Sequence, residues 1–134
     1  MSESEWEWSR QDPLGNTVVL KTSTLTDHII GDHTDADVKM RMYAVSQAPE
    51  VVENPDKIFK DYSTVGEDRN REKYMDLRHV EETDSFMAIV VVVDTDRDPR
   101  EMVSCTAQHK LPKKIPKEGV LYDRSKPRKR QSEI

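Results

Sequence analysis

Four consecutive valines, Val90 to Val93, inside the uninterrupted apolar run Met87 to Val93, narrow the folds open to this chain more than any other feature. β-Branched side chains are stiff at χ1, crowd a helix and suit a pleated surface. No polar residue alternates with them, so the run has no solvent-facing side. Phe86 to Asp94 is therefore expected as a central strand buried on both faces. The run is also far shorter than the roughly 20 residues that span a bilayer, and no membrane partner is expected.

The remaining elements arrange themselves around that strand. Trp6 and Trp8 alternate with glutamates as a strand with one buried face would. Asp12-Pro13-Leu14-Gly15-Asn16 has the residues of a turn, and Thr17 to Leu20 returns as the second strand of a hairpin. Thr24, with Asp27 three residues on, resembles a capping box. It opens a helix carrying Leu25, His28, Ile29 and Ile30, with Gly31 as its weak point. A second helix starts at Thr34 or Asp35, with Val38, Met42 and Val45 at helical spacing and Pro49 near its end. Strands are then expected over Lys57 to Tyr62, Lys73 to Val80, Phe86 to Asp94 and Met102 to His109. The expected architecture is α+β: two N-terminal helices packed on an antiparallel sheet of about four strands, preceded by a β-hairpin.

Charge divides the chain at Lys110. From there to the end, nine Lys and Arg stand against three acids, although the whole chain carries a net charge of -5. Residues 1–110 are expected to form the domain, and residues 111–134, with Pro112, Pro116 and Pro127, a basic tail extended beyond the last strand. Two readings of that tail stand side by side: an arm attracted to phosphate, or a solvated strip that neutralises the acidic body. The N-terminus, MSESEWEWSR, lacks the basic-then-apolar pattern of a secretory signal, so a cytoplasmic location is expected. The single cysteine, Cys105, is read as a buried structural thiol.

The chemistry centres on DHIIGDH, Asp27 to His33. Imidazole moves protons near neutral pH. His28 and His33 are five residues apart, which on a continuous helix separates them by about 140°. They reach one pocket only if the helix ends or bends near Gly31. Lys39 and Arg41 open the second helix within reach of a phosphate. Arg69, Arg71 and Lys73 form a cationic group before Tyr74. Thr106, Gln108 and Lys110 alternate along the last strand and share a face. The His and Cys spacing matches no metal motif, so neither metal nor other cofactor is expected.

In order, DPLGNTVVL, DHIIGDH, APEVVENPDKIF, REKYMDL, FMAIVVVV and MVSCTAQHK resemble the phage-associated nuclease-like domains of the barnase–EndoU–colicin–RelE group. The resemblance runs from about Asp12 to Lys110. It implies a metal-independent RNase of a phage, mobile element or toxin system. His28 and His33 match the family's two histidines, Tyr74 its strand tyrosine, and Thr106 its final-strand threonine. Asp32 stands where the family has a basic residue, and Gln108 where it has an aromatic one.

Two functions are carried forward. In the first, the chain cleaves RNA by transesterification. His28, His33, Thr106 and Tyr74 act at the reacting groups, and Lys39, Arg71, Gln108 and Lys110 hold the phosphates. In the second, it is a non-catalytic binding protein on the same fold, its acidic surface engaging a host or cognate protein.

Overall fold

A computed structural model describes residues 6–26, 35–61, 70–81, 84–109 and 119–125. Seven strands form one mixed sheet: β1 (Trp6–Gln11), β2 (Thr17–Lys21), β3 (Lys57–Lys60), β4 (Arg71–Val80), β5 (Ser85–Asp94), β6 (Arg100–Gln108) and β7 (Val120–Asp123). Their spatial order is β1-β2-β6-β5-β4-β3-β7. A helical turn, α1 (Thr22–Thr24), follows β2, and the long helix α2 (Asp35–Glu53) precedes β3.

β5 lies in the middle of the sheet. Ile89, Val91 and Val93 point to the side covered by α2, where they join Val18, Leu20, Ile58, Met102 and Cys105 in the main core. Ala88 and Val90 point to the other side, where they cluster with Phe59 and Met75. The valine run thus serves two apolar layers, which is why it needs no polar alternation.

The expected four-stranded antiparallel sheet under two helices is corrected in three respects. First, the N-terminal hairpin belongs to the sheet. β2 adds parallel to β6, with Val18 beside Arg100 and Val19 beside Glu101. Val18, Val19 and Leu20 are all buried, so the strand is covered on both faces as an inner strand of a sheet is. Second, a further strand, β7, pairs with β3 (Ile58 opposite Tyr122). It comes from within the stretch expected as tail; the polar residues around Val120-Leu121-Tyr122 masked its apolar character. Third, α2 is the one long helix among the described residues. α1 is a single turn of Thr-Ser-Thr, residues with low helix propensity. Most of the expected first helix lies outside the described residues.

α2 also runs past Pro49, the residue expected near its end. Its buried stripe is Ala44, Ala48, Val51 and Val52, at i, i+4, i+7 and i+8, while Met42 is exposed. Two alanines let the helix approach the sheet closely, and the stripe continues after Pro49 for another turn. Asn54 N–H donates to the Glu50 carbonyl at 2.9 Å and closes that turn. No helix among the described residues is long and apolar enough to cross a membrane.

The sheet curls around α2. Three strands separate β1 from β4, which in a flat sheet amounts to about 19 Å. Yet the Tyr74 hydroxyl of β4 donates directly to the carboxylate of Asp12, in the turn after β1. Arg10 of β1 likewise reaches Glu53 at the end of α2, at 3.2 Å.

Candidate functional site

Among the described residues, two clefts beside α2 stand out. The smaller, about 200 Å³, lies between Met40 and Arg41 of the helix and Thr106 and Ala107 of β6. Among the described residues β2 accompanies β6 only at Arg100 and Glu101, and the later part of β6 meets the first half of α2 instead. There Arg41 Nη1 donates to the Cys105 carbonyl at 3.5 Å. The guanidinium is thereby anchored on β6 at the edge of this cleft, as a cation suited to an anionic oxygen.

The larger cleft, about 600 Å³, lies between Tyr43 and Gln47 of α2 and Arg78, His79, Val80 and Glu81 at the end of β4. Arg78 is held by Asp76 (Nε to Oδ2, 3.0 Å) and Glu50 (Nη1 to Oε1, 3.1 Å). It also donates to Gln47 Oε1 at 3.4 Å. His79 Nε2 lies 3.0 Å from Asp84 Oδ1, and its ring meets Phe86 edge-on at 5.2 Å. Asp84 adopts φ +48°, a left-handed conformation that Asp tolerates better than most residues.

The sequence-derived residues distribute as follows. His28, His33 and Lys110 lie outside the described residues. Thr106 lines the smaller cleft. Lys39 is exposed on α2. Gln108 stands opposite Ala88 and Thr106 opposite Val90, on one face of β6. Arg71 stands opposite Asp94, four residues along β5 from the Thr106 pairing, or about 13 Å away. The structure therefore does not bring Arg71 to Thr106.

Tyr74 belongs to the main core, on the face of the sheet under α2. Its hydroxyl is committed to Asp12, whose other oxygen accepts from Leu14 N (2.9 Å) and Asn16 N (2.8 Å). Burial, reinforced by the bond to Asp12, pushes the phenol pKa well above its ordinary value. Tyr74 acts here as a fastener between β4 and the turn after β1.

Cys105 is fully buried, and desolvation pushes its thiol pKa up to about 12. It is not the thiolate a nucleophile requires. Among the described residues no group of three or more His, Cys, Asp and Glu could hold a metal ion.

Arg41 was visible in the sequence as one of two cations opening α2. Tyr43, Gln47 and the Arg78–Glu81 segment were not, because their meeting depends on where α2 crosses the sheet. The one local signal was the i, i+4 spacing of Tyr43 and Gln47. Compared with protein families, curated proteins and solved structures, the chain finds no significant match.

Proposed function

We propose that this protein is a metal-independent endoribonuclease that cleaves RNA by transesterification, as its resemblance to the nuclease-like domains implies. In this reading one of His28 and His33 takes the 2′-hydroxyl proton. The 2′-oxygen attacks phosphorus, the bond to the 5′-oxygen breaks, and the other histidine protonates the departing oxygen, leaving a 2′,3′-cyclic phosphate. Arg41 holds the non-bridging oxygens as charge builds on them. The observation that carries the reading is the Arg41 guanidinium, held on the Cys105 carbonyl beside a cleft of about 200 Å³. Arg41 replaces Arg71 as the phosphate cation, and Tyr74 drops out because its hydroxyl is committed to Asp12.

The test is incubation of the purified chain with total RNA and tRNA in the presence of EDTA, beside His28→Ala, His33→Ala and the double variant. Cleavage to cyclic-phosphate ends by the native chain, lost in the variants, is expected. Intact RNA at high protein concentration would overturn the reading.

A second reading, a non-catalytic binding protein on the same fold, is supported by Phe86 and Leu77. Both are large apolar residues, 63% and 45% exposed, and they stand on one face at the acidic β4–β5 turn. Expression in bacteria separates the two: an active RNase without an inhibitor arrests growth, whereas a binding protein accumulates.

A further inference from the structure

The sheet face opposite α2 carries an apolar row that begins buried and ends in solvent. Met75 and Leu77 of β4 stand opposite Val90 and Ala88 of β5, and His79 stands opposite Phe86. Met75, Ala88 and Val90 are buried in the second apolar cluster with Phe59. The row continues outward to Leu77 and Phe86, which are 45% and 63% exposed. It ends as an open apolar step beside the β4–β5 turn, the kind of surface that marks an interaction site.

The rim of that step is acidic. Asp84 is almost fully exposed beside His79, with 3.0 Å between Oδ1 and Nε2. Glu81 is exposed as well, and from Val80 to Ser85 the sequence, VEETDS, offers no Lys or Arg to balance its carboxylates. A surface of this composition suits an extended basic segment that also carries an apolar side chain.

One segment of this chain has that character. Residues 126–134, KPRKRQSEI, lie outside the described residues and hold four Lys and Arg against one acid, together with Ile134. They follow β7, which is antiparallel to β3, itself antiparallel to β4, so β7 runs in the direction of β4 and toward the turn. Asp123 is level with Met75 through Lys57. From there Phe86 is four residues further along the sheet and three strands across, about 19 Å in all. Ser125 donates to Asp123 Oδ1 from its N–H (3.0 Å) and its hydroxyl (2.6 Å), a turn that takes the chain out of line with β7. Arg130, seven residues after Asp123, reaches about 23 Å when extended.

We infer that residues 126–134 dock across the β4–β5 turn of their own chain, with Arg128 to Arg130 on Glu81 and Asp84 and with Ile134 against Phe86 and Leu77. The tether gives the segment an effective concentration of about millimolar at the step, which favours it over a basic segment of another molecule. Exposed ion pairs contribute little singly, so the docking is reversible and sensitive to salt. Of the two readings of the basic tail, this is the one in which it neutralises the acidic body. The inference does not depend on the RNA-directed reading, and it assigns to the chain itself the surface that the second reading gives to a partner.

The test is paramagnetic broadening in the ¹⁵N-labelled full chain carrying a nitroxide at Ser132→Cys; Cys105 is buried and stays unlabelled. Amide signals of Leu77, His79 and Phe86 are expected to broaden at low salt and to recover in about 1 M sodium chloride, where the screening length falls to about 3 Å. The double variant Glu81→Gln/Asp84→Asn is expected to abolish the broadening. Asn tolerates the left-handed conformation at residue 84 (φ +48°), so the turn is kept. A mixture of nitroxide-bearing chain without ¹⁵N and ¹⁵N-labelled native chain is expected to show no broadening. Sharp signals in the first sample, or broadening indifferent to salt and to the double variant, would overturn the inference. Broadening in the mixture would overturn it too, because it places the segment of a second copy on the step.

Discussion

The Tyr74 hydroxyl donates to the Asp12 carboxylate although three strands lie between β4 and β1 in the order of the sheet. One buried hydrogen bond thus ties the first turn of the chain to the middle of a strand more than sixty residues later. It marks how far the sheet curls.

Tyr74→Phe removes that bond and leaves Asp12 with its local donors from Leu14 and Asn16. Loss of a hydrogen bond to a charged group costs about 1.5–3 kcal/mol. Asp12→Ala is expected to cost more, because it also strips the turn of its acceptor and leaves the phenol buried without a partner. Urea denaturation of both variants measures the difference.

Alkaline pH should destabilise the fold before it affects exposed groups. Burial holds Cys105 protonated up to about 12, and Tyr74 is likewise pushed upward. Between its unfolded and folded pKa each group binds its proton more tightly in the native state, so unfolding releases protons and stability falls as pH rises. The contribution of each group is complete below about pH 8.5 for the thiol and about 10 for the phenol, and declines above by about 1.4 kcal/mol per pH unit for each. Urea midpoints at pH 7, 9 and 10.5 should fall progressively, and Cys105→Ser should flatten the first part of the decline.

Asp76, 5% exposed, faces Arg78 at 3.0 Å and Arg124 at 3.1 Å. Asp76→Ala leaves a half-buried Arg78 with Glu50 and Gln47 and is expected to cost about 3 kcal/mol. Arg124→Ala should cost no more than about 1 kcal/mol, because that side chain is 42% exposed and Arg78 still serves the carboxylate. Thermal denaturation of the two variants ranks them.

Arg41→Ala is expected to lower RNA cleavage by about 100-fold. Lys39→Ala, at an exposed position on the same helix, should change cleavage less than threefold. Initial rates on a fluorogenic oligoribonucleotide distinguish these, and equal losses for Arg41→Ala and Lys39→Ala would point to nothing more than general charge attraction.

What the sequence disclosed was local. The valines of β5, the turn at Asp12 to Asn16 and the hairpin it joins each declare themselves within a few residues, through side-chain shape or backbone preference. Pairings over long distances do not. Nothing near Val18 signals that its neighbour in space is Arg100, and the parallel contact between β2 and β6 turned an expected flanking hairpin into part of the sheet. The same limit applied to the site. Arg41 stood out for its place on a helix, but its meeting with the Cys105 carbonyl depends on the crossing of α2 over β6. Tyr74 misled for a physical reason: a strand tyrosine has the same sequence whether its hydroxyl faces solvent or a buried carboxylate.

The short ladder between β2 and β6, at Val18–Arg100 and Val19–Glu101 among the described residues, also sets an order of assembly. β4 and β5 are joined by a short turn and match over ten residues, from Arg71–Asp94 to Val80–Ser85, so little chain entropy opposes their meeting. The N-terminal hairpin must close a loop of some eighty residues for two rungs of ladder. Its docking therefore follows the β4–β5 pairing, and once seated it is held less by that short ladder than by Val18 and Leu20 in the main core.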